Sequence, residues 1–288
     1  MTKNAQPRSA VLPNLIVIGA MKCGTTSLHR YLDLHPQIGM SNPKELNFFL
    51  EAPDGSWHRG IDWYAAHFDP RLAVRGDASP AYANAPRSAG SAERIAGVVP
   101  DARLIYMVRD PLARAVSNWV HATAAGFETA SLESALADPE SRFVARSLYL
   151  TQLREFLRCF PEDRILVIDN EELRSARTET LAATFRFLRV DDGFTDPRFE
   201  RVWEVSSGKD RRYELAYRLS RRFGRGLWSR LPAEARWWME RVAYPPAKEA
   251  PAPPAVSPEL RERLQERFRP EVEGLRELTG KAFATWSV

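Results

Sequence analysis

Residues 14–31 read Asn-Leu-Ile-Val-Ile-Gly-Ala-Met-Lys-Cys-Gly-Thr-Thr-Ser-Leu-His-Arg-Tyr, and their reading decides the fold. Leu15 to Ile18 is an unbroken apolar run, the pattern of a strand buried on both faces. Gly19 ends it. From Thr26 the apolar residues Leu28, Tyr31 and Leu32 recur at helical spacing. Between strand and helix lie Gly19, Ala20, Met21, Lys22, Cys23, Gly24, Thr25 and Thr26, followed by Ser27. A strand, a glycine-containing loop and a helix start form an anion site, because the first helical N–H groups lack internal partners and the helix dipole favours negative charge. The spacing is nearly that of a P-loop, but Thr25 stands where that motif has its lysine, and the lysine comes earlier, as Lys22. A nucleoside triphosphatase needs the lysine on the outer phosphates and a hydroxyl on magnesium. The loop therefore suits a donor with one phosphate here and no metal, with an ordinary strand–helix turn as the bland alternative.

Composition bounds the rest. The chain has 288 residues, 44% of them apolar and 27% charged, an ordinary globular balance. No apolar run approaches the roughly 18 residues of a membrane span, and Met1 to Ala10 shows no apolar segment of a signal peptide. Two cysteines, Cys23 and Cys159, are too few for a disulfide framework, so a cytoplasmic location is the expectation. A net charge of +4 suits an anionic ligand and is too mild for nucleic acid. Neither the five histidines nor the cysteines have metal-ligand spacing, so no metal is expected.

Outward from the first helix, Gln37 to Met40 reads as a short strand. Asn42-Pro43-Lys44-Glu45-Leu46-Asn47-Phe48-Phe49 allows two readings. It is either a surface turn stapled by phenylalanines or a carboxylate held at an apolar wall, where desolvation would bring Glu45 toward the range of a base. Trp57 to Phe68 reads as one aromatic-rich amphipathic helix, mostly core. A strand at Leu72 to Arg75 would put Asp77 at a strand's carboxyl end, where open α/β sheets carry ligand groups. Arg103 to Val108 is a second buried strand, and Pro111 suits the first turn of the following helix. Arg109 at the strand end and Ser117 two turns into that helix could hold a second phosphate; an Arg109–Asp110 surface pair is the plainer reading. A long helix is expected over Phe143 to Phe160, a third buried strand over Arg164 to Ile168, and a helix over Thr178 to Leu188. This alternation implies a parallel sheet covered by helices on both faces. Beyond Gly193 come the basic loop 206–213, an arginine-rich stretch at 215–231, a proline-rich stretch at 244–256 and a closing helix. Ser257 and Pro258 start that helix; a break is expected at Pro270 and a stop at Gly280. One domain is expected: a disordered tail at 1–11, an α/β cofactor-binding core at 12–213 and a helical region at 214–288.

These pieces together resemble the sulfotransferases that use 3′-phosphoadenylyl sulfate (PAPS), especially the heparan sulfate N- and 3-O-sulfotransferases and their bacterial relatives. The resemblance covers roughly residues 12–213 and the closing helix, and two cofactor motifs about 80 to 90 residues apart are its specific part. It implies that Lys22, Cys23, Gly24, Thr25, Thr26 and Ser27 bind the 5′-phosphosulfate, and that Arg109 and Ser117 bind the 3′-phosphate. Lys44 to Phe49 looks like the family's Lys-Glu-x-x-Phe-Phe segment, whose glutamate is the proposed base. Arg59 to Tyr64 and Tyr149 to Leu173 follow further family patterns, which brings Tyr149 into the cofactor set. Lys209-Asp210-Arg211-Arg212-Tyr213 is similar to a Lys-Gly-Arg-x-Tyr loop that closes over the nucleotide, so Lys209, Arg211 and Arg212 join the set.

The chain also departs from the family. Asp77-Ala78-Ser79-Pro80 stands where the 3-O-sulfotransferases have Glu-Lys-Thr-Pro, so a catalytic lysine is missing at Ala78 and its task is absent or moved, Lys44 being one candidate. Asp210 replaces a glycine. The membrane anchor of the animal enzymes is not seen, which suggests a soluble bacterial protein. The implied reaction is sulfuryl transfer from PAPS to a hydroxyl or amine of a glycan or small-molecule acceptor. Lys22 would stabilise the leaving oxygen, Glu45 would serve as base, and Asp77 or Lys44 would orient the acceptor. A small-molecule P-loop kinase and a nucleotide-binding module without activity are the rivals.

Overall fold

The computed structural model describes residues 11–53, 55–138, 140–200 and 254–288. Lys209, Arg211, Arg212, the arginine-rich stretch and the boundary expected at 213/214 lie outside the described residues.

Five strands form the sheet: β1 (Leu15–Gly19), β2 (Ile38–Met40), β3 (Val74–Ala78), β4 (Arg103–Val108) and β5 (Ile165–Asp169). Their order is β2-β3-β1-β4-β5, and every pairing is parallel. β1 lies at the centre, with Leu15 opposite both Gly76 of β3 and Arg103 of β4. Both faces of β1 are covered, so Leu15, Ile16, Val17 and Ile18 are fully buried. Each such side chain contributes roughly 1.5–3 kcal/mol of transfer free energy. The continuous apolar runs in β1 and β4 are what a doubly covered parallel sheet requires.

The helices are α1 (Thr25–Leu34), α2 (Gly60–Ala65), α3 (Ser91–Val98), α4 (Pro111–Ala124), α5 (Leu132–Ala137), α6 (Arg142–Ala145), α7 (Tyr149–Leu157), α8 (Asn170–Ser175), α9 (Arg177–Leu188) and α10 (Pro258–Thr279). Asp110 caps α4 by accepting the Ala113 N–H at 2.7 Å, and Pro111 takes the first helical position. A second apolar cluster joins α4, α5 and α6 to α10 through Leu112, Val116, Leu136, Phe143, Leu264 and Phe268. That cluster fixes the position of α4, and with it the position of Ser117.

The structure corrects four of the expected boundaries. β3 runs from Val74 to Ala78 rather than from Leu72 to Arg75, so Asp77 lies inside the strand's last turn of pleat. Trp57 to Phe68 is a 3₁₀ turn, Trp57–Arg59, followed by the short α2. The helix expected over Phe143 to Phe160 is divided between α6 and α7. Ser147 in the break donates to the Pro111 carbonyl at 2.8 Å and accepts from Arg114, bonds that a continuous helix would not position. α10, by contrast, passes through Pro270 without ending. Proline there costs one helical hydrogen bond, while Leu264, Phe268, Val272 and Leu275 hold the helix down from both sides of it.

Candidate active site

In a parallel sheet all carboxyl ends lie on one side, and Lys22, Gly24, Asp77 and Arg109 stand at or just beyond strand ends there. The loop after β1 delivers Lys22 and Gly24 to the start of α1. The first helical bond of α1 runs from the Leu28 N–H to the Gly24 carbonyl at 3.1 Å. The N–H groups of Thr25, Thr26 and Ser27 precede it and have no partner within the helix. No side chain caps α1, and no acidic residue occupies its first turn, so nothing on the helix itself competes with an anion. Two residues of the loop have left-handed backbone, Lys22 at φ 69° and Gly24 at φ 85°. For lysine that conformation costs about 1–2 kcal/mol. At Gly24 a side chain would also collide: an added Cβ would stand 2.2 Å from Oδ1 of Asn170, the first residue of α8.

Cys23 and Tyr149 support this loop from below. Both are buried, and the Cys23 Sγ and Tyr149 hydroxyl share a hydrogen bond at 3.5 Å. Burial pushes the Cys23 thiol up to about 11, against the opposing pull of the Tyr149 hydrogen bond and of the charges on Arg114 and Arg109. Tyr149 therefore backs the cradle.

β4 and α4 supply the next wall. Arg109 follows the last residue of β4 and makes no ion pair among the described residues. Asp110, the partner that a plain surface pair would give it, is engaged elsewhere. One carboxylate oxygen caps α4, and the other accepts the Ser287 N–H at 2.5 Å. Ser117 Oγ is shut off from solvent and has no hydrogen-bond partner among the described residues. Native structures rarely leave a buried hydroxyl unpaired, so this atom fits a site for an oxygen-rich ligand.

The Lys44–Asn47 segment crosses the carboxyl end of β3. The Glu45 N–H donates to the Ala78 carbonyl at 3.1 Å, and the Asn47 N–H donates to Ser79 Oγ at 3.0 Å. Glu45 has a left-handed backbone, φ 65°, which turns its side chain outward while Leu46, Phe48 and Phe49 enter the core. Of the two readings open at this segment, the carboxylate is not held against the apolar wall. Its side chain is 49% exposed, and Lys44 Nζ meets its Oε1 at 2.5 Å. The desolvated carboxylate is Asp77 instead. It is wholly enclosed, accepting the Ser79 hydroxyl on Oδ1 at 2.8 Å and the Tyr82 and Tyr64 hydroxyls on Oδ2 at 2.7 and 3.0 Å. Burial raises its pKa, opposed by those three hydrogen bonds and by the positive charge of Lys44. Asp77 stands at a strand's carboxyl end as expected, yet it faces hydroxyls rather than the crevice. In the sequence Tyr64 is carried only by the resemblance of the stretch Arg59 to Tyr64, with no role attached, and Tyr82 and Asn170 are given no role, because all three act through contacts across the fold.

Among the described residues no group of histidine, cysteine, aspartate and glutamate could hold a metal ion, and no helix is long and apolar enough to cross a membrane.

The family described as "Sulfotransferase domain" matches residues 12–209. The bifunctional heparan sulfate N-deacetylase/N-sulfotransferase 2 of Homo sapiens is 29% identical over 197 residues, 62% of this chain and 22% of the relative. The heparan sulfate glucosamine 3-O-sulfotransferase 3B1 of Mus musculus is 30% identical over 201 residues, 66% of this chain and 50% of the relative. The chain thus spans half or less of the length of these relatives. A crystal structure of a sulfotransferase from Alicyclobacillus acidocaldarius superposes with a TM-score of 0.66 at 25% identity, covering 96% of this chain and 99% of that one.

Proposed function

Because the chain belongs to the sulfotransferase domain family, we propose that it transfers the sulfuryl group of PAPS to a hydroxyl or amine of an acceptor. The observation that carries the donor assignment is the buried Ser117 Oγ on the helix that follows Arg109, which has no hydrogen-bond partner among the described residues. A guanidinium with no carboxylate partner among the described residues and a shielded hydroxyl suit a second phosphate, the 3′-phosphate that separates PAPS from ATP. When bound, PAPS supplies the sulfuryl group and departs as adenosine 3′,5′-bisphosphate.

In this reading Gly24 and the N–H groups and hydroxyls of Thr25, Thr26 and Ser27 hold the 5′-phosphate. Lys22 meets the negative charge that develops on the leaving oxygen. Glu45 takes the acceptor's proton at a carboxylate oxygen. Lys44, touching Glu45 and acting on Asp77, fixes the orientation of Glu45 and takes over the task of the lysine missing at Ala78. Asp77 anchors Tyr64, Tyr82 and Ser79, and through Ser79 the backbone of Asn47. Lys209, Arg211 and Arg212 are assigned to the nucleotide by resemblance. The acceptor is a carbohydrate, glycolipid or other small metabolite, and the working compartment is a bacterial cytoplasm.

The test incubates the full chain with PAPS and an acceptor panel of glycans, lipids and phenols, with EDTA present, and reads products by mass spectrometry. Sulfated product in EDTA is expected. Transfer from ATP only, and only with magnesium restored, would overturn the proposal in favour of a kinase.

A further inference from the structure

Arg114 lies in α4, one turn after the cap, and is completely buried. Its guanidinium donates from Nε to Ser147 Oγ at 2.6 Å, from Nη1 to Asn118 Oδ1 at 3.3 Å, and from Nη2 to the Phe143 carbonyl. All three acceptors are neutral. Among the described residues no carboxylate stands at ion-pair distance. Its electrostatic neighbours are Tyr149, Cys23, Tyr106 and the like-charged Arg109. A buried guanidinium without a counter-charge is costly. Its surroundings connect to the anion loop: Ser147, which accepts from Arg114, lies two residues before Tyr149, whose hydroxyl shares a hydrogen bond with Cys23, the residue before Gly24. The three hydrogen bonds tie α4 to the 143–147 segment and satisfy the guanidinium's donors, but they leave its charge without a counter-ion among the described residues.

We propose that Arg114 is an electrostatic positioning residue for the donor. Its buried charge stands behind the anion cradle, and the phosphates of the bound nucleotide are its counter-ion. Arg114 does not touch the nucleotide; it acts through the loop at Cys23 and through the placement of α4. The inference rests on the donor assignment made above.

Calorimetric titration of the full chain with adenosine 3′,5′-bisphosphate and with AMP separates the possibilities. Arg114→Gln should weaken the bisphosphate by about tenfold or more and AMP by less, because the lost attraction scales with ligand charge. Arg114→Lys keeps the charge but not the planar fork. It should preserve the ratio of the two affinities to within about threefold, even if its melting temperature falls. A strut alone predicts that both ligands weaken by one factor and that lysine serves no better than glutamine; either result overturns the inference. If the glutamine variant does not fold, the affinity ratio of the lysine variant decides by the same criterion. Wild-type protein that fails to bind the bisphosphate would sink the donor assignment itself. Wild-type binding that Arg114→Gln leaves unchanged would overturn this inference alone.

Discussion

At the rim of the site a cation and a carboxylate touch, Lys44 and Glu45, while in β3 a second carboxylate, Asp77, is wholly enclosed. The two acids have opposite surroundings, and that separates their roles. Glu45 can meet an acceptor because half of its side chain faces solvent. Asp77 cannot, since its oxygens are taken by three hydroxyls. Glu45→Gln should therefore keep bisphosphate affinity and lower turnover by roughly 10²–10⁴-fold, the usual worth of a positioned base. Asp77→Asn should act differently, lowering the denaturation midpoint by disturbing a buried network. Steady-state rates beside urea melts check both. Near-normal turnover in Glu45→Gln would move the base elsewhere. The sequence placed Lys44 and Glu45 together but left the setting of the carboxylate open. Glu45 turns outward only because its backbone is left-handed and its N–H is pinned to Ala78, and both facts depend on β3.

Among the elements, the strand–loop–helix unit from Leu15 to Leu34 is the proposed anion cradle, and Gly24 has both a left-handed backbone and a side chain of Asn170 against it. Gly24→Ala would meet two obstacles, the positive φ and the Asn170 Oδ1. It should weaken bisphosphate binding by about tenfold or more, the left-handed backbone alone costing about 1–2 kcal/mol. Adding Asn170→Ala should recover the part due to collision and leave the part due to φ; calorimetry on the single and double variants reads the split. Full recovery would show that the backbone is unstrained there. This unit was legible in the sequence because its signals are local: an apolar run, two glycines and helical spacing. The break between α6 and α7 was not, since Ser147 is drawn out of a helix by Pro111 and Arg114, more than 30 residues away in sequence. Nor was the persistence of α10 through Pro270, where burial on α4 and α7 outweighs one lost hydrogen bond.

For the molecule as a whole, five parallel strands bring their carboxyl ends to one edge, and every described candidate residue lies at or beneath that edge. The end of the chain completes it. Trp286 Nε1 donates to Asp169 Oδ2 at 3.2 Å after β5, and the Ser287 N–H donates to Asp110 after β4. Such closures join residues 117 and 177 positions apart, and no motif announces them. We propose that this edge reads a nucleotide with a 3′-phosphate, and that Arg109 and Ser117 do the reading. Calorimetric titration of wild-type and Ser117→Ala protein with adenosine 3′,5′-bisphosphate and with AMP tests it most directly. Wild type should prefer the bisphosphate, and Ser117→Ala should lose about tenfold or more of that preference, in keeping with a hydrogen bond to a charged group. AMP affinity should stay nearly unchanged. Equal affinity of wild type for the two nucleotides, or a preference that survives in Ser117→Ala, would rule out the 3′-phosphate role of Arg109 and Ser117.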